Sequence, residues 1–384
     1  DNNTTQVRGG LGVFTSRLPL VWPGGTYNNN GVTGGFNFEF GQAFEAEAVT
    51  SAGNVPIPIQ LNPQQTSNPV PEDRWQDRVT RPTHILVPLD GSCQGEEALP
   101  AAEALCSAYS ASLTLLTVKQ EKSFSKSLKN AITRECEPTE YSEEYLQDIA
   151  EKFMALGINT KYFIREGDVS DNVNQLIKEV GADLVIISTQ VRTGLDRLFS
   201  SNIANDIIQA ITCPVLVMRP AEGEPVKIPD FNKLLVTLDG SNFSERVLPY
   251  VKASTVFESN VLLLTVPQVP EADRFGAVVE EIQELRDKTE IAAKEYLNNI
   301  AGILRKDGVH TQVIVQGSRP AKTIARIAEE ENVDVIFMAT HGRGGLDRLF
   351  MGSVAERTLN NTSRPIFIVP INELRQPPKD NRIE

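Results

Sequence analysis

The sequence predicts an α/β protein of two tandem domains, each with an open, parallel, five-stranded sheet, preceded by an irregular N-terminal arm. Three observations carry this expectation. From Thr83 onward, apolar runs of strand length alternate with helical stretches, the pattern of parallel strands joined by helical crossovers. That succession then recurs at a nearly constant offset. Before Thr83 the composition changes in kind.

Taken in order, His84–Leu89 reads as a short buried strand, Glu96–Ala108 as a helix with apolar spacing, and Leu113–Val118 as a second strand. A helix is expected over Glu143–Leu156, a strand over Thr160–Ile164 and a helix over Val173–Val180. Strand Leu184–Ser188, helix Ile203–Ala210 and strand Val215–Met218 complete the unit.

The second unit repeats the first. Leu89-Asp90-Gly91-Ser92 recurs as Leu238-Asp239-Gly240-Ser241, and Leu99-Pro100 as Leu248-Pro249. Gly194-Leu195-Asp196-Arg197-Leu198-Phe199 recurs as Gly345-Leu346-Asp347-Arg348-Leu349-Phe350, and Pro214-Val215 as Pro365-Ile366. The offset stays between 148 and 151 residues throughout, which chance matches would not do. The expected division is an extension over 1–78, a first domain over 79–224, a second over 225–376 and a polar tail over 377–384. The stretch Ala221–Pro229, rich in Pro, Gly and charge, reads as the linker between the domains.

The extension holds ten glycines and nine asparagines but only 11 charged residues, so it is poor material for a core and rich in turn formers. Pro56, Pro58, Pro63, Pro69 and Pro71 favour extended chain. Phe36, Phe38 and Phe40 alternate with polar residues and lead to Phe44, giving a short strand one aromatic face. This segment reads either as a hairpin packed on the neighbouring domain or as an arm that docks a protein partner.

The 50 acidic residues outnumber the 37 basic ones, for a net charge of −13. That balance argues against a nucleic-acid partner, whose phosphates demand a basic face. No apolar run approaches the ~18 residues of a membrane span. Cys93, Cys106, Cys136 and Cys213 show no CxxC spacing, which favours buried thiols and a cytoplasmic location over disulfides or zinc. The chain begins at Asp1 rather than Met, which leaves room for a leading segment to have been removed.

The chemistry concentrates in the second copy. Strand Val333–Met338 runs into Ala339-Thr340-His341-Gly342; nine residues later Gly352-Ser353-Val354 opens the helix Ala355–Leu359. At the carboxyl ends of parallel strands, glycines allow close backbone approach, and a helix N-terminus offers free N–H groups to an anion. Phosphate is the natural guest. Arg343 and Arg348 in the intervening loop are either added positive charge or a solvated face. The motif is neither a Walker loop nor a GxGxxG fingerprint.

With LLVTLDGS, Gly317-Ser318-Arg319-Pro320-Ala321 and THGRGGLDRLFMGSVAE in view, the second copy resembles the nucleotide-binding class of universal stress proteins, whose pattern is G-x2-G-x9-G-[ST]. Both copies fit the family, so the resemblance covers about 83–372. It implies Rossmann-like domains of the adenine nucleotide α-hydrolase type, whose final strands pair across a pseudo-dimer within the chain. It further implies ATP, with Mg as an accompanying ion, as ligand. Asp239 would then accept from the ribose or adenine and Val266 contact the base. Met338, Ala339, His341 and Gly342 would line base and phosphates, and Gly352, Ser353 and Val354 would hold the phosphates. One position departs from the pattern. Ala339 replaces its first Gly, a change that is costly where the residue needs positive φ or touches the nucleotide.

The first copy departs further, reading Ser188-Thr189-Gln190-Val191 and Ser201-Asn202 at the matching positions. All three glycines are gone, so this copy is not expected to take ATP by this route. Asp90 persists, but an Asp after a first strand can equally cap a turn. His341 lacks a neighbouring carboxylate or cysteine that would make it a metal ligand, and no catalytic residue is identified. Asn360-Asn361-Thr362-Ser363 contains a glycosylation-like sequon, which a cytoplasmic chain would not use. The function expected is a nucleotide-responsive regulatory module with the site in the second copy and a structural first copy, hydrolysing ATP slowly at most. The alternatives are a scaffold whose arm docks the pair onto a larger assembly, and an adenylate-using enzyme, for which no pyrophosphate loop is visible.

Overall fold

The computed structural model describes residues 81–119, 143–189, 207–208, 210–220, 228–255, 259–267, 279–317, 319–340 and 352–370. The extension with its Phe36–Phe44 segment, most of the linker and the tail lie outside these residues.

The first half runs β1 (His84–Pro88), α1 (Cys93–Glu96), α2 (Leu99–Tyr109), β2 (Ser112–Lys119), α3 (Glu143–Ala155), β3 (Thr160–Glu166), α4 (Val169–Val180), β4 (Leu184–Ser188) and β5 (Val215–Met218). The second half repeats it: β6 (Lys233–Thr237), a 3-10 turn (Ser244–Val247), α5 (Leu248–Ser254), β7 (Asn260–Thr265), α6 (Val279–Lys306), β8 (His310–Val315), α7 (Pro320–Glu330), β9 (Val335–Ala339), α8 (Ser353–Leu359) and β10 (Ile366–Val369). Of the helix expected over Ile203–Ala210, the described residues 207, 208 and 210 are helical.

Two helix starts differ from expectation, each for a local reason. The helix expected from Glu96 is split: Ser92 caps the short α1 by accepting from Gly95 N at 3.0 Å. Pro100 has no N–H to return to Glu96, so α2 starts afresh at Leu99. Helix α4 begins four residues before the expected Val173 because Asp168 caps it, accepting from Asp171 N at 2.9 Å.

The ten strands form one sheet in the order β3-β2-β1-β4-β5-β10-β9-β6-β7-β8. Every pairing within a half is parallel. The halves meet where β5 and β10 pair antiparallel, with Leu216 opposite Phe367. The final strands thus join the two repeats into a continuous sheet, as the resemblance implies. Phe367 stacks on Phe337 with centroids 4.8 Å apart. Beside this seam Arg219 is buried, its Nε donating to the Thr362 carbonyl at 3.4 Å, and burial pulls its guanidinium down to about 10.

Alternate residues of each strand face opposite layers. Ile85, Val87, Leu234 and Val236 pack with Leu105, Phe153 and Leu297 on one face. Leu86, Val185, Leu235 and Ile336 pack with Leu176, Ile324 and Leu359 on the other. Both layers cross the seam, so the halves share their cores.

Two cysteines match the expectation of buried thiols: Cys106 and Cys213 are free and buried, and burial pushes the Cys106 thiol up to about 12. Cys93 does not match it. Exposed as the first residue of α1, it is disulfide-bonded. Among those residues no helix is long and apolar enough to cross a membrane.

Candidate functional site

In the second half β6 lies between β7 and β9, so the chain leaves neighbouring strands in opposite directions and opens a crevice at their carboxyl ends. Asp239 lies two residues past β6, Val266 follows β7, and Met338 and Ala339 end β9. The register holds them level: Val236 pairs with Phe337, Thr237 pairs with Leu264, and the Thr237 hydroxyl donates to the Phe337 carbonyl at 3.3 Å.

Gly240 turns the chain at φ +80°, a conformation glycine adopts without strain. Asp239 Oδ1 then accepts from both the N–H (2.9 Å) and the hydroxyl (2.6 Å) of Ser241. Ser244 closes the turn, its Oγ accepting from Asp239 N at 3.2 Å. The first copy builds the same cap, with Asp90 Oδ1 accepting from Ser92 N at 3.1 Å and Ser92 Oγ at 2.5 Å. Turn capping is therefore common to both aspartates. In Asp239 it engages Oδ1 and leaves Oδ2 as the oxygen available to a ligand hydroxyl or amine.

Met338 is buried and packs on the layer that also holds Val266. Ala339 is half-buried, pairs with Val369 in the parallel ladder and has no positive φ. The missing glycine therefore costs no backbone strain. After Thr340 the chain passes through His341 and Gly342, which lie outside the described residues, and returns at Gly352. There the Gly352 N–H donates to the Thr340 carbonyl at 2.6 Å, while Thr340 N donates to the Val369 carbonyl at 3.0 Å. Thr340 and Gly352 are thus tied to each other and, through Thr340, to β10.

Gly352 is the N-cap of α8, with extended backbone (φ −58°, ψ 143°) and no side-chain cap. Its own N–H is spent on Thr340, so the groups left to face an anion are those of Ser353 and Val354. Ser353 is exposed, and Val354 is half-buried against the core. The donors and the helix dipole suit a phosphate. Asp239 Oδ2 suits a hydroxyl or an exocyclic amine.

A feature not singled out from the sequence lies beneath this crevice. Glu245 is only 6% exposed and accepts from the Tyr296 hydroxyl at 3.2 Å. Burial, and then the Glu245 and Asp239 carboxylates, push the Tyr296 phenol well up, so it stays a donor. In the first copy burial and the charges of Glu96 and Asp90 push Tyr145 up in the same way. Aligning the two repeats places Glu96 on Glu245 and Tyr145 on Tyr296, which is the signal that reveals the pair.

The model of the "Universal stress protein family" matches residues 82–219 and again 230–370. Among curated relatives, universal stress protein MJ0577 of Methanocaldococcus jannaschii is 31% identical over 153 residues, covering 36% of this chain and 94% of that protein. Universal stress protein YxiE of Bacillus subtilis is 26% identical over 146 residues, covering 36% of this chain and 99% of that protein. Among solved structures, a universal stress protein from Archaeoglobus fulgidus aligns with a TM-score of 0.56 at 18% identity. That alignment spans 76% of this chain and 97% of the other, so the two share the tandem fold.

Proposed function

The chain belongs to the universal stress protein family, matched over both halves, and from that premise we propose that it is an adenine-nucleotide-binding regulatory module. The site is in the second copy, and the first copy is structural. The observation that carries the reading is the Thr340–Gly352 hydrogen bond. It ties the uncapped start of α8 to the end of β9, the strand that pairs with β6, whose own end leads to Asp239. ATP is the ligand of choice: Ser353 and Val354 meet its phosphates, Asp239 Oδ2 its ribose or adenine, and Val266, Met338 and Ala339 its base. His341 and Gly342 complete the loop. An accompanying Mg would add positive charge to the phosphates that Ser353 and Val354 face.

The proposed module acts by binding, since no residue in the crevice has been identified as a general base. The domain division that goes with this reading is 79–224 and 225–376. The experiment is to denature the purified protein, assay the supernatant for adenine nucleotide, and titrate the emptied protein with ATP in the presence and absence of Mg. Released or titratable ATP supports the reading; absence of both overturns it.

A further inference from the structure

The turn after the Asp-Gly-Ser loop reads Gly95-Glu96-Glu97 in the first copy and Ser244-Glu245-Arg246 in the second, and each leads into a Leu-Pro helix start two residues on. Within this matched frame the charge reverses at one position, Glu97 against Arg246. The structure locates that position in the first copy, where Glu97 Oε2 accepts from the Ser188 hydroxyl at 3.3 Å. Ser188 ends β4 and corresponds to Ala339, which ends β9. The turn bearing Arg246 packs against β9 in its turn. Arg246 therefore stands on the wall of the crevice, next to the strand end that leads into the loop.

Among the described residues, Arg246 meets an aromatic ring and not a carboxylate. It is half-exposed, its N–H donates to the Phe243 carbonyl at 3.2 Å, and its guanidinium lies 5.4 Å from the centre of the Phe243 ring. Among the described residues no carboxylate pairs with it. Ala339 offers only a methyl group where Ser188 offers a hydroxyl. The ring face steadies the guanidinium without neutralising it, and a planar cation of this kind is suited to grip phosphate oxygens. A carboxylate in the same place would repel them.

We propose that Arg246 is a specificity-determining residue of the second copy that pairs with a phosphate group of the bound nucleotide, and that Glu97 bars phosphate from the first copy. This rests on the reading of the second copy as an adenine-nucleotide site. The test is calorimetric titration of the full chain with ATP, AMP and adenosine, for the wild type and for Arg246→Gln, Arg246→Glu and Arg246→Lys, with thermal unfolding to confirm that each variant is folded. Charge-assisted hydrogen bonds contribute enough that Arg246→Gln is expected to weaken ATP and AMP by ~10-fold or more, and Arg246→Glu by on the order of 100-fold. Adenosine is expected to stay within about 2-fold, and Arg246→Lys to recover only part of the ATP affinity, because the ammonium restores the charge without the planar fork. An equal loss for ATP and adenosine, or no loss for ATP, overturns the assignment and leaves the nucleotide reading standing. A wild-type protein that binds neither ATP nor adenosine overturns both.

Discussion

The backbone N–H of Gly352 donates to the carbonyl oxygen of Thr340 at 2.6 Å, tying the start of α8 to the end of β9. This bond joins the two described ends by backbone, while Gly352, lacking a side chain, leaves the helix start open to a ligand. Thr340 is itself held by its N–H to Val369, so this junction is anchored to β10 and through it to the seam between the halves.

Replacing Gly352 by Asp separates folding from binding. Asp is a favoured N-cap residue, and the extended backbone at 352 suits it, so the unliganded protein is expected to gain a few tenths of a kcal/mol. The added carboxylate repels phosphate, so the stabilisation by ATP is expected to vanish. Thermal unfolding of wild type and Gly352→Asp, each with and without ATP, checks both halves of this expectation.

The shared sheet predicts that the two repeats unfold together. Phe367 is 8% exposed, stacks on Phe337 and lies opposite Leu216 across the antiparallel junction. Truncation to Ala is expected to cost about 3–5 kcal/mol and to lower a single cooperative transition followed by calorimetry. Two separate transitions, with only the second half weakened, would show that the seam does not couple the halves.

Helix α4 ends on Gly181 at φ +73°, whereas α2 ends on the exposed Ser110 at φ +55°. Serine in the left-handed region is strained where glycine is not. Ser110→Gly is therefore expected to stabilise the fold by about 0.5–1 kcal/mol, and Ser110→Val to destabilise it by more than that. Denaturant midpoints at unchanged slope measure both.

His84 gives a pH dependence of defined sign. Its Nε2 lies 2.7 Å from the Thr114 hydroxyl, and burial outweighs Asp183 in holding its pKa below the ordinary 6.5. The unfolded chain therefore takes up this proton first. The contribution of His84 to stability is full above pH 6.5 and is lost as pH falls through the lower, folded value. Unfolding measured from pH 7.5 to 5 in wild type and His84→Gln should show a shallower acid decline in the variant.

Much of the fold was legible because the strands are short, apolar and evenly separated, and because the repeat doubles every signal. The breaks at Pro100 and Pro249 were present in the sequence, but an apolar helical run such as Glu96–Ala108 hides a local restart that depends on one missing N–H. Strand order and the antiparallel sense of the seam are not properties of any segment and came from the structure; the resemblance implied only that the final strands pair. At the site, Asp239 and Met338 entered only through the family resemblance, whereas Gly352 stands out by type and spacing. Glu245 with Tyr296, and Arg246, do not, because a buried ion or a lone arginine has no local signature; aligning one copy on the other exposes them. Cys93 escaped for a similar reason, since its spacing from the other cysteines carries no disulfide signature.

The most direct test of the central claim is the stoichiometry of ATP binding, measured by calorimetric titration of the full chain after removal of any bound nucleotide. One ATP per chain in the wild type, unchanged by Ser188→Ala in the first copy and abolished by Gly352→Asp in the second, is the predicted result. Two sites per chain, none, or a single site that survives Gly352→Asp would contradict it.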